Sequence, residues 1–144
     1  MVYYLTYDEY MAMGGTLDET LFTSYSYDAQ AYIDWYTFNR LWKETWRTTD
    51  IMERVKVCEY QLIRFVEAKM NQITPNVNAD GFNANAQVTR YSNDGVSVDY
   101  NVLHADEIYH NCAKEIEGLV QRYLAGIINS MGRSLLYRGL YPDE

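Results

Sequence analysis

Between Asp50 and Met70 the chain sets apolar against polar positions with the period of a helix. Ile51, Val55, Cys58, Leu62, Phe65 and Val66 recur at steps of mostly three and four, and Val57 and Ile63 widen that stripe. Glu53, Arg54, Lys56, Glu59, Gln61, Arg64 and Glu67 fill the other side. Asp50 is the expected cap, with Glu53 completing a capping box. At about 1.5 Å per residue this rod is roughly 30 Å long, enough to form the mast of a small bundle.

Other helices are expected around it. Thr6 and Glu9 have capping-box spacing and open a short helix that Gly14 and Gly15 end. A second helix starts near Asp18 and runs to about Thr37, with Phe22, Tyr25, Ala29, Ile33 and Tyr36 as its stripe. The segment 38–47, with Trp42 and Trp46, turns the chain into the mast, and its own conformation is left open. A last long helix is expected from somewhere in 101–106 to Ser130. Ile108, Cys112, Ile116, Leu119, Tyr123, Leu124 and Ile127 make its apolar face, and Gly132 is its stop.

Residues 71–100 differ in character, being rich in Asn, Asp, Gly and Thr. A loop of this length in a compact domain calls for a function or a structure of its own. Two β-prone runs, one holding Val88 and Arg90 and the other Val96, Val98 and Tyr100, flank Asn93, Asp94 and Gly95. That is a hairpin signal with turn residues that accept positive φ. A lone hairpin is marginal in water, so this arm is expected to lie against the bundle or another molecule. The fold class is therefore mainly all-α: a small helical bundle with two long helices, a long loop carrying a β-hairpin arm, and an extended C-terminal tail. Residues 1–132 form the bundle domain and 133–144 the tail. In that tail Leu135, Leu136, Tyr137, Leu140 and Tyr141 are too apolar for solvent. They either fold back onto the bundle or dock elsewhere.

The 144 residues suit one domain, and 48% are hydrophobic. Mean hydropathy is −0.39, and no apolar run is long enough to span a bilayer. Residues 1–10 lack a basic flank and an apolar core, so no export signal and a cytosolic setting are expected. A net charge of −8 opposes tight binding to phosphate backbones. Fifteen tyrosines suit surfaces that become interfaces, and suit bundle edges equally.

Candidate catalytic chemistry is sparse. Glu107 and His110 have the Glu-x-x-His spacing of di-iron bundles, but those need it twice with further glutamates, and His104 has no such glutamate. Cys58 and Cys112 fall on apolar stripes, where a cysteine acts as a small buried hydrophobe. Gly14-Gly15 lacks the remainder of a phosphate loop. No active site, metal or cofactor is expected.

Several fragments, in order, resemble the head-tail connector (adaptor) proteins of long-tailed bacteriophages. Tyr4-x-Thr6-Tyr7-x-x-Tyr10 followed by glycine and a helix is similar to the family's opening. Ile33, Asp34, Thr37, Phe38 and Arg40 resemble its Ile-Asp-x-x-Thr-Phe-x-Arg segment. Ser92, Gly95, Val98 and Tyr100 are similar to its hairpin, and RYLAG with SLLYRGLY to its last helix and ending. The loop 71–87 departs from the pattern in length and Asn content. The resemblance implies a non-enzymatic virion subunit, assembled in the bacterial host cytoplasm and forming a ring below the portal. Its implied partners are the portal protein, copies of itself and a head-closure or tail-completion protein. Genomic DNA would pass through without sequence-specific binding, and no membrane is involved. The tail, through Leu135, Leu136, Tyr137, Arg138, Leu140 and Tyr141, is expected to dock on the portal. The arm, through Val88, Arg90, Asn93, Asp94, Gly95, Val96, Val98 and Tyr100, is expected to reach a neighbouring subunit. An acidic ring would repel a passing duplex and favour sliding. The alternatives are a head-closure (stopper) or tail-completion protein, a small cytosolic enzyme, and a regulatory helical module.

Overall fold

The Thr6 side chain accepts from the Glu9 backbone N–H, and the Glu9 carboxylate accepts from that of Thr6, so the chain's first capping box is closed in both directions. These bonds come from a computed structural model that describes residues 3–73, 87–92, 97–101, 110 and 112–144. The fold is mainly helical. It divides into two compact units, residues 1–66 with 114–144, and residues 67–113.

In the first unit, α1 (Tyr7–Ala12) ends where Gly14 takes φ +97°. Gly15 then passes so close to the Tyr10 ring that a Cβ would sit 2.1 Å from it. The Tyr10 hydroxyl accepts from the Thr16 and Leu17 N–H groups, which fixes this loop. Helix α2 (Glu19–Thr37) starts as expected on Asp18, whose carboxylate accepts from Leu21 N–H at 2.8 Å. Its buried face is Phe22, Ser26, Ala29, Gln30, Ile33 and Thr37. The expected stripe members Tyr25 and Tyr36 lie at its edges, half-buried.

Two 3₁₀ turns, Arg40–Trp42 and Glu44–Trp46, fill the connection that the sequence left open. Trp46 is buried there and Trp42 exposed. Helix α3 (Thr49–Ile73) is the mast, about 37 Å long at ~1.5 Å per residue. It begins one residue before Asp50, which therefore sits inside the first turn and is not the cap. Ile51, Val55, Cys58, Leu62, Ile63 and Val66 are buried as the stripe requires, while Val57 is exposed. The larger correction is Glu59. Assigned to the polar side, it is 0% exposed, because the inward face is one position wider than its apolar residues mark.

Helix α4 (Ala113–Leu124) buries Ile116, Val120 and Leu124 at steps of four. It ends six residues short of the expected Ser130. Gly126 takes φ +80°, and Ile128 then bridges to Ser134 across a turn that includes Gly132 at φ +74°. The Asn129 side chain closes that turn by accepting from the N–H groups of Met131 and Arg133. Of its expected start, 101–106, Asn101 lies in a strand and 102–106 fall outside the described residues.

The segment after the turn is not an extended tail. Leu135 is buried and donates its N–H to the Ile127 carbonyl at 3.0 Å, so the chain folds back over its own unit.

Within the second unit, β1 (Gln87–Ser92) and β2 (Ser97–Asn101) pair antiparallel. Val88 lies opposite Tyr100 and Arg90 opposite Asp99, with the register shifting between Val88 and Arg90. The expected turn residues Asn93, Asp94 and Gly95 lie outside the described residues, as do Val96, expected to open the second strand, and 74–86.

Candidate docking cleft and the Arg40 strap

Arg40 is 1% exposed, and a buried guanidinium must find acceptors for all five N–H groups. It does. Nη1 donates to the carbonyls of Leu135 (2.9 Å) and Tyr137 (2.5 Å). Nη2 donates to the Gly139 carbonyl (2.6 Å) and Glu144 Oε2 (3.1 Å), and Nε to Glu144 Oε1 (2.8 Å). The Phe38 and Tyr141 rings lie 5.1 and 4.8 Å from its carbon. Arg40 holds the Glu144 carboxyl down at about 2. Residues 135–144 are thus a strap organised on one side chain from the other end of the sequence. Tyr141 adds a bond from its hydroxyl to the Ser134 carbonyl, and Arg133 pairs with Asp143.

Beside the strap lies an open cleft of about 850 Å³. One wall is the end of α2 and its cap, with Asp34, Trp35 and Phe38. Glu117 and Gln121 of α4 make another, and Leu136 and Arg138 of the strap a third. Trp35 is 77% exposed and Phe38 47%. Phe38 caps α2 in the left-handed region, φ 55°, and Asn39 follows at φ 57°. Asparagine tolerates that region, whereas phenylalanine is strained there. The bond from Asn39 N–H to the Asp34 carbonyl at 2.9 Å helps to hold it.

The cleft is polar at its edges. Tyr4 donates to Asp34 Oδ1 at 2.5 Å, and burial followed by that bond pushes the phenol's pKa up. Arg138 pairs with Glu117 at 2.6 Å. Burial, with Glu117 nearby, raises Tyr36, against the opposing effect of Arg138. A smaller hollow of about 240 Å³ between α3 and α4 is lined by Val57, Tyr123 and the charged Glu53, Arg54 and Arg122.

Of the residues expected to dock, Leu135 is committed to the core, Leu136 and Tyr141 are half-buried, and Tyr137, Arg138 and Leu140 are exposed, Leu140 at 79%. Leu136 and Arg138 do line a recess, together with side chains the sequence did not single out for a site. Trp35 could have been found, since a tryptophan on the outward face of an amphipathic helix is a surface signal. Glu117 and Gln121 carry no such signal. Val88, Arg90, Val98 and Tyr100 lie in paired strands of the other unit.

Cys58 is a free thiol whose pKa burial and Glu59 push up to about 12, the reverse of what a nucleophile needs. Cys112 is also a buried thiol. Among the described residues no three metal-ligating side chains come together, and no helix is long and apolar enough to cross a membrane. Glu107 and His104 lie outside the described residues. No family model, curated protein or solved structure matches the chain.

Proposed function

We propose that this chain is a structural subunit of a phage head-tail connector, an adaptor ring bound below the portal that joins capsid to tail and lines the DNA channel. One observation carries the reading. Two fragments that resemble the family, 33–40 and 134–141, are remote in sequence yet meet through Arg40 and the carbonyls of Leu135, Tyr137 and Gly139. Fragments that share one hydrogen-bonding centre form a single structural unit, which a chance likeness of separate pieces does not require.

The mainly helical fold and the exposed Trp35, Phe38 and Leu140 are compatible with a subunit that gains neighbours on assembly. In this reading the exposed side of the strap, Tyr137, Arg138 and Leu140, faces the portal. The hairpin of β1 and β2 serves as an arm toward an adjacent subunit or the next ring, because its edges need cover. The net charge of −8, repeated around a ring, keeps DNA moving through the channel.

The test is assembly. Purified chain mixed with the portal protein of the same phage should form a closed ring on it, seen by sedimentation and electron microscopy, and should stay monomeric or weakly associated alone. A tight dimer that ignores the portal overturns the proposal.

A further inference from the structure

We propose that the cleft between α2, α4 and the strap is a receptor for a basic side chain, an arginine flanked by apolar residues, presented by a partner protein. The inference goes beyond the connector reading and stands without it. The cleft's volume of about 850 Å³ suits a few residues of a peptide better than a flat face. Trp35 and Phe38 give it exposed aromatic surface, and Leu136 an aliphatic wall. Such walls bind the neighbours of an arginine by burial and its guanidinium through ring faces.

Charge selects the ligand. Asp34 and Glu117 stand on two different walls, in a chain of net charge −8. An acidic segment would meet two carboxylates against the single Arg138, which is already paired with Glu117, and a purely apolar one would leave the carboxylates desolvated. The structure holds its own precedent, for the Arg138 guanidinium already rests on Glu117 at 2.6 Å. Arg138 is 78% exposed while Glu117 is half-buried, so the arginine leaves at little cost and the carboxylate is open to exchange for an incoming cation. On the opposite wall, Asp34 has no salt-bridge partner among the described residues and is oriented by Tyr4. The left-handed Phe38–Asn39 pair adds a second argument. Backbone strain kept at the rim of a recess, with the Phe38 ring backed by Arg40, presents that ring rigidly.

The experiment is an NMR titration of the isotopically labelled full chain. The probes are Ac-Leu-Arg-Leu-NH2, its Glu counterpart Ac-Leu-Glu-Leu-NH2, and Ac-Leu-Gln-Leu-NH2. The Arg peptide should shift the Trp35 indole and the Asn39 and Gln121 amides. Its apparent affinity should fall at least about fivefold in Asp34→Asn, which keeps an acceptor for Tyr4, and again on raising salt to about half-molar. Trp35→Ala, at an exposed position that leaves the core intact, should abolish the aromatic part of the shift. Equal shifts from the Glu or Gln peptide overturn the inference. So does an Arg peptide that leaves these resonances unmoved at about 10 mM, well above the affinity expected of a charge-assisted site.

Discussion

Ser26 donates through Oγ to Oε1 of Glu59 at 2.7 Å, and the acid's Oε2 is buried without a hydrogen-bond partner. Burial raises the Glu59 pKa to about 8 from its ordinary 4.5, partly offset by the Ser26 bond, with Asp34 and Glu9 pushing it further up. The unfolded chain therefore releases this proton at lower pH than the folded one. Its contribution to stability is full below pH 4.5, declines as pH rises toward 8, and is lost above that. Glu59→Gln keeps the Ser26 contact and cannot ionise. It should match the wild type near pH 5 and exceed it by on the order of 3–5 kcal/mol at pH 9, read from urea unfolding at the two pH values. A parallel loss with pH in both proteins would place the titrating group elsewhere.

Arg40→Ala removes the centre of the strap and strands three carbonyls and a carboxylate. A loss of about 3–5 kcal/mol is expected, with faster amide exchange at Leu135 and Tyr141. The Glu144 ion pair adds a signature at acid pH. Because the folded pKa is depressed to about 2, its stabilisation is present above 4.5 and disappears as pH falls through 2. Glu144→Gln should remove that acid-side slope.

Leu135 and Leu140 separate folding from docking. Leu135→Ala opens a void in a fully buried site and should cost about 2–5 kcal/mol. Leu140→Ala should change stability by no more than about 0.5 kcal/mol, and under the proposed function its effect should fall on portal binding alone. Ending the chain at Gly132 should lower the melting temperature markedly, since Leu135 and the acceptors of Arg40 go with it. A melting temperature within a few degrees of wild type would contradict the strap.

Asp18→Ala deletes the acceptor for Leu21 N–H at the start of α2 and should cost about 1 kcal/mol. Asp50→Ala, inside the first turn of α3 and not at its cap, should cost less. Denaturant midpoints of the two variants give the comparison.

What the sequence disclosed follows the range of the interactions. The Thr6 and Asp18 caps act over three residues, and the α3 stripe over single turns, so local spacing was enough to read them. Glu59 was misread because the inward face of α3 is wider than its apolar residues mark, and the acid's partner there, Ser26, is 33 residues away. The end of α4 was placed late because the apolar Ile127 continues the helical period, while Gly126 breaks the helix before it and Ile128 bridges to Ser134 just after it. For the tail, apolar content identified a segment that must be covered, and only the Arg40 contacts, spanning 95 residues and more, decided by what. The cleft was the least legible, since its walls come from three stretches and its acids sit at unremarkable positions.

Arg40 also sets a rule of length. Its guanidinium engages the carbonyls of residues 135, 137 and 139, every second one, together with both oxygens of a side chain five residues further on. One residue inserted or removed between 135 and 139 throws those carbonyls out of step with a donor array that is rigid and planar. Substitution leaves the spacing untouched, because main-chain oxygens belong to every amino acid. In related chains this stretch, apart from the buried position 135, should therefore vary in letters far more than in number, so a gap there in an alignment, unless Arg40 is also replaced, marks a chain that closes its bundle in another way.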